Sequence, residues 1–183
     1  MAQAREFQRC ALIMGVLSTS EDRHDGIISL LEEHFGPVEM FSPVMDFSFT
    51  DYYDGEMGGR PVRYLLLFRN LVDPSDLAGI KILTNSLEKQ FVSENGGRTV
   101  NLDPGILSLA SLILASCKDR SHRIPLRDGV YAETTLIYQN HDFQALPWSY
   151  ADYSSDAVRA VLRSFRDKYR EILKTTQKTC FFF

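Results

Sequence analysis

Between Ala11 and Leu102 the chain alternates strand-length apolar runs with amphipathic stretches in one order: strand, helix, strand, strand, helix, strand. Ala11–Leu17 is continuously apolar and suits a buried strand. Ser18-Thr19-Ser20-Glu21 has the form of a capping box, and Ile27, Ile28, Leu31 and Phe35 follow at helical spacing. Gly36-Pro37 ends that helix, since glycine accepts a left-handed cap and proline cannot continue the turn. Val38–Phe49 favours strand, with Pro43 limiting its regularity. After a turn-rich loop over Asp51–Arg60, Arg63–Leu71 is the next strand. Asp73-Pro74 opens the second helix, whose buried stripe is Leu77, Ile80, Leu83, Leu87 and Phe91. Asn95-Gly96-Gly97 stops it, and Thr99–Leu102 resumes as strand. This order predicts an α+β fold with a ferredoxin-like βαββαβ core, two helices lying on one face of an antiparallel sheet.

Beyond Pro104 the pattern changes. Leu107–Ser116 mixes apolar and small residues and reads as a short buried helix. Ser121–Leu126 and Val130–Tyr138 flank Asp128-Gly129, the signature of a two-residue hairpin. A short strand over Phe143–Leu146 precedes a final amphipathic helix carrying Val158, Val161, Leu162, Phe165, Tyr169 and Ile172 on one side. A C-terminal hairpin extension and a final helix therefore join the core in a single domain over 1–183, with flexible tails expected at 1–9 and 175–183.

Bulk properties exclude several classes. A net charge of −4 and a pI near 5.6 argue against a nucleic-acid surface. Cys10, Cys117 and Cys180 form neither a disulfide framework nor a zinc spacing, which fits a reducing cytoplasm. The polar N-terminus lacks the form of a signal peptide, and the apolar runs Tyr64–Phe68 and Leu109–Ala115 are too short to span a membrane. Cys180-Phe181-Phe182-Phe183 mimics a prenylation box without aliphatic centre or polybasic approach, and reads as a frayed or packing tail. Phosphate-cradling, dinucleotide, serine-hydrolase and zinc-protease motifs are all absent from the sequence. Asp46, Asp51 and Asp54 do not follow a calcium-loop spacing. No metal is expected, and no cofactor can be named.

The chemistry concentrates between Asn101 and Glu133. With Asp128 and Gly129 as turn residues, His122 and Glu133 become diagonal neighbours roughly 7 Å apart at the backbone. A carboxylate beside an imidazole fixes its tautomer and raises its basicity, making His122 and Glu133 the candidate catalytic pair. The plainer alternative is a surface cross-strand ion pair. Arg123 falls on the opposite face, and only a bulge, for instance at Pro125, would re-aim the strand. Lys118 and Arg123 are the candidate anion holders, with Asp119 beside them. Asp103 could orient a ligand hydroxyl, or merely form the turn of Asn101-Leu102-Asp103-Pro104-Gly105. In the aromatic and acidic segment Phe47–Asp54, Asp51 and Tyr52 are further ligand-binding candidates; an aromatic cap on the sheet is the rival role. His24, His34 and His141 read as ordinary surface residues.

Phe-Ser-Phe-Thr-Asp-Tyr-Tyr at 47–53, Asn-Leu-Asp-Pro-Gly at 101–105, Lys-Asp-Arg-Ser-His-Arg-Ile at 118–124 and Gly-Val-Tyr-Ala-Glu at 129–133 resemble motifs of an uncharacterised prokaryotic family. That family is a domain of unknown function, numbered 4416, and the resemblance spans about residues 10 to 173. Some of its members carry an automatic GTP-binding label, but this sequence has neither a P-loop nor an Asn-Lys-x-Asp motif. The expectation is a cytoplasmic protein that binds, and as an enzyme would transform, an anionic metabolite of phosphorylated or nucleotide-like kind. The alternative is a non-catalytic interaction module, a homodimer closing over Phe47–Tyr53. RNA binding through exposed sheet aromatics fits the acidic balance least.

Overall fold

A computed structural model describes residues 3–19, 24–50, 54–93 and 96–179. Its centre is β1 (Cys10–Ser18), every residue of which is buried. A strand covered on both faces must be apolar throughout, which is why Ala11–Leu17 shows no alternation. Leu12, Met14 and Val16 point to one side, against Ile27 and Leu31 of α1 (His24–Phe35) and Ile80 and Leu87 of α3 (Leu77–Glu88). Ala11 and Ile13 point to the other, against Val158, Leu162, Phe165 and Tyr169 of α4 (Asp156–Thr179). The sheet is thus packed on both faces, two helices on one and the long helix on the other.

The remaining strands are β2 (Val38–Phe41), β3 (Met45–Asp46), β4 (Val62–Val72), β5 (Val100–Leu107), β6 (Ser111–Ser116), β7 (Ile124–Pro125), β8 (Tyr131–Gln139) and β9 (Asp142–Ala145). Among the described residues they form one nine-stranded sheet of order β2-β4-β1-β5-β6-β8-β7, with β3 also on β4 and β9 also on β8. Every pairing is antiparallel. The fold is a mixed α+β sandwich, and no described helix is long and apolar enough to cross a membrane.

Local signals are realised where they are strong. Gly36 adopts φ 83° behind α1, and the Asp73 side chain accepts from Ser75 N at the turn that leads into α3. Pro43 falls in the gap between β2 and β3, and α2 (Asp54–Met57) occupies part of the glycine-rich loop. Ser20, Glu21 and Asn95, which carry the capping box and one helix stop, lie outside the described residues, as do Cys180 to Phe183.

Three expectations fail. Leu107–Ser116 is not a helix: β5 turns at Ser108, whose hydroxyl accepts from Ala110 N and Ser111 N, and returns as β6. Asp103-Pro104-Gly105 is not a turn but the interior of β5, with Gly15 opposite Asp103 and Met14 opposite Pro104. Ser121–Arg123 is a turn rather than strand, closed by Arg123 N donating to Arg120 O. The final helix, α4, runs to Thr179.

Candidate functional site

The position of Pro104 explains a gap in the sheet. β5 pairs with β1 down to Val100 opposite Ser18, and β6 pairs with β8 out to Ser116 opposite Tyr131. Between β5 and β6, however, the ladder covers only Gly105–Leu107 against Leu112–Leu114. It stops where Pro104 has no N–H to contribute. Past that point the strands part, and a cavity of about 630 Å³ opens between them. That volume is in the range of pockets for small metabolites.

Arg63 of β4 forms the floor. Its side chain is only 5% exposed, with Nη1 2.9 Å from Asp152 Oδ2 and Nη2 3.4 Å from Asp103 Oδ2. The guanidinium lies over the rings of Phe47 and Tyr153, at 5.3 and 5.0 Å from their centroids. Burial works against its charge, but Tyr153, Asp152 and Asp103 outweigh that and hold its pKa above the usual value. Burial pushes the Tyr153 phenol and the Asp152 carboxyl up, against the pull of Arg63. Asp103 also accepts from Asn101 Nδ2 at 2.9 Å and lies 3.8 Å from Lys81 Nζ. Lys81 reaches it from α3, through the gap, while donating to Leu102 O at 2.7 Å. Two turns on, Glu88 accepts from Leu102 N at 2.8 Å and from Arg98 at 3.1 Å; burial raises its pKa.

The opposite wall is Glu133 of β8, 1% exposed. Its Oε2 lies 2.9 Å from His122 Nε2 and accepts from Arg123 Nε at 2.7 Å. A bulge brings both there. Asp128 and Gly129, at φ 56° and 73°, make the two-residue turn, with Val130 N donating to Arg127 O. Pro125 pairs with Tyr131 and Ile124 with Ala132, so Leu126 is the extra residue and the register moves by one. The expected pairing of Ile124 with Glu133 is thereby replaced, and Arg123 swings to the carboxylate.

Arg123 spends three of its other four donors on Ser116 Oγ, Lys118 O and the Tyr150 hydroxyl, at 2.8, 2.7 and 2.5 Å. It is a clamp tying β6, β8 and the Tyr150 segment together rather than a free anion holder. The His122 ring stacks on Trp148 with centroids 5.1 Å apart and planes within 9°.

Of the residues singled out in the sequence, Asp103, Lys118 and Glu133 border the cavity. His122 and Arg123 stand behind Glu133, outside the lining, and Asp119 is exposed to solvent. Asp51 and Tyr52 lie outside the described residues. Phe47 is buried with Leu17 and Met57, so it is not available to a dimer contact; Phe49 beside it is 46% exposed. His24 is not an ordinary surface residue, its ring lying 4.8 Å from that of Tyr64.

Arg63, Lys81, Glu88, Asp152 and Tyr153 are the site residues that sequence reasoning passed over. One signal was present. Leu77, Ile80, Lys81, Thr84, Leu87 and Glu88 all fall on the buried side of α3, and two charged residues on such a stripe ask for partners.

Residues 8–169 match the sequence profile of the domain of unknown function DUF4416. The chain belongs to that family. No curated protein and no solved structure matches it. The matched span of the DUF4416 domain contains every side chain that borders the cavity, from Phe47 to Tyr153.

Proposed function

We propose that this protein binds a small anionic metabolite, phosphorylated or nucleotide-like, in the cavity between β5 and β6. The observation that carries the reading is the set of charged side chains around that space: Arg63, Lys81, Glu88, Glu133 and Asp152 are buried, and Asp103 among them is half-buried. Burying five ionisable groups around one space is unfavourable for folding, and a fold keeps such groups where they meet a ligand or perform chemistry. Lys81 and Lys118 supply cationic contacts, and Phe49 and Tyr150 supply aromatic surface at the rim. Glu133 is the group placed to exchange a proton with a bound molecule, with His122 behind it as its link to solvent. A ferredoxin-like core is part of the same proposal, supported by the order β2-β4-β1-β5 with α1 and α3 on one face.

A thermal-shift panel of sugar phosphates, nucleotides and carboxylates tests this. A ligand at a hundred times its dissociation constant stabilises the fold by about 2.7 kcal/mol. Lys81→Met, which keeps the stem and removes the ammonium, should abolish the shift while the protein still unfolds cooperatively. A panel that leaves the melting temperature unmoved, with no small molecule retained in native mass spectra, refutes the proposal.

A further inference from the structure

Four polar atoms on the cavity floor make no hydrogen bond among the described residues: Arg63 Nε and Nη1, Asp152 Oδ2 and Tyr153 Oη. The side chains of Arg63 and Asp152 are 5% and 6% exposed, and Tyr153 is 1% exposed. The Arg63–Asp152 contact at 2.9 Å is an ion pair out of line for a hydrogen bond. That pair leaves Arg63 Nε and Tyr153 Oη as the floor atoms with no partner; buried polar atoms are nearly always paired, and these two belong to side chains that border the cavity, where a ligand completes the set.

Their types say what that ligand group is. Arg63 and Tyr153 are donors, whereas Asp152, and Asp103 next to it, are acceptors. A phosphate or carboxylate would satisfy the donors but face two carboxylates at close range. An ammonium would do the reverse against Arg63 and Lys81. A hydroxyl group both accepts and donates, and adjacent hydroxyls satisfy both kinds at once without adding charge. Phe47 and Tyr153 cover the faces of the guanidinium, so only its edge is left to read such a group.

We infer that the floor formed by Arg63, Asp152 and Tyr153 holds a neutral polyhydroxylated moiety, a sugar or polyol. The anionic group of the same molecule then lies at the mouth, where Lys118 is exposed and borders the cavity. This rests on the binding reading above and narrows it to phosphorylated sugars and nucleotides.

The test uses the full chain with ribose 5-phosphate, 2-deoxyribose 5-phosphate, propyl phosphate and inorganic phosphate as probes. Binding is read by calorimetry and by protection of Cys117 from iodoacetamide, mapped by mass spectrometry. Cys117 is exposed and borders the cavity, whereas Cys10 is buried. Ribose 5-phosphate should bind at least tenfold more tightly than propyl phosphate, and Tyr153→Phe should reduce that preference by roughly tenfold. Lys118→Ala should weaken all phosphate probes by a similar factor. Equal binding of ribose 5-phosphate and propyl phosphate, or an unchanged preference in Tyr153→Phe, overturns the assignment of the floor while leaving an anion site intact. Failure of every phosphate probe to bind or to protect Cys117 overturns the assignment together with the reading beneath it.

Discussion

A Cβ on Gly15 would lie 2.5 Å from the Tyr153 hydroxyl and 3.2 Å from Arg63 Nη1. Glycine in the middle of a central strand weakens packing and adds chain entropy, so its place in β1 needs a reason. The reason is the cavity floor: Tyr153 and Arg63 come to rest over β1 only because position 15 has no side chain. One residue in the first strand thus permits a site whose other members come from β4, β5 and the segment before α4.

Gly15→Ala should therefore destabilise the protein by about 1–3 kcal/mol, as overpacking of a rigid core does. The phenol is buried and cannot swing aside. Tyr153→Phe removes the clashing oxygen, and because that hydroxyl has no hydrogen-bond partner its loss alone should change stability by less than about 1 kcal/mol. The double variant should recover most of the Gly15→Ala loss. Urea denaturation of the two single variants and the double variant checks this, and simple additivity would show that the two positions do not meet as described.

Arg123 should behave as a structural clamp. Its side chain is 5% exposed and neutralises Glu133, which is 1% exposed. Arg123→Ala leaves that carboxylate buried with only His122 and the Thr135 hydroxyl beside it and should cost about 3–5 kcal/mol. Arg127, whose pair with Asp128 is 58% and 56% exposed, is the control, and Arg127→Ala should fall within about 0.5 kcal/mol of wild type. Equal losses in the two variants, by chemical denaturation, would contradict the clamp.

Much of this architecture is written in local chemistry. The continuous apolar run of β1, the Asp73-Pro74 entry to α3, the Asp128-Gly129 turn and the apolar stripe of α4 each specify their own neighbourhood, and each is found where the pattern puts it. What escapes a local reading is non-local. Leu107–Ser116 reads as a helix because small residues interrupt its alternation, yet it is a hairpin whose turn is made by one hydroxyl. Asp103-Pro104 reads as a turn, because whether proline ends a strand or only one of its ladders depends on which neighbour lies alongside. Leu126 bulges by one residue, and that slip carries Arg123 from one face of the hairpin to the other. The pairing of His122 with Glu133 survives the slip, since long side chains tolerate a shift that a backbone register does not. The floor is the least legible part: Arg63, Lys81 and Asp152 sit far apart in the chain and meet only through the gap below Gly105.

Glu88 predicts the sign of one pH effect. Burial raises its pKa above the ordinary 4.5, and burial likewise raises Asp152 above 3.8. In the window from the ordinary values up to the raised ones, the folded state binds more protons than the unfolded chain. Stability then falls as pH rises through that window, opposite to the behaviour of a salt-bridged acid. Asp142 runs the usual way: chiefly through its hydrogen bond from Arg163 its pKa is lowered below 3.8, so its contribution is lost only in stronger acid. Glu88→Gln keeps an acceptor for Leu102 N and has no proton to bind. Comparing urea stability from pH 4.5, the ordinary value, up to neutral pH, the variant should lose less stability on going to the higher pH than wild type does. Indistinguishable slopes for the two proteins would mean that Glu88 titrates like a carboxylate in water, and that the wall of the cavity it occupies is open to solvent.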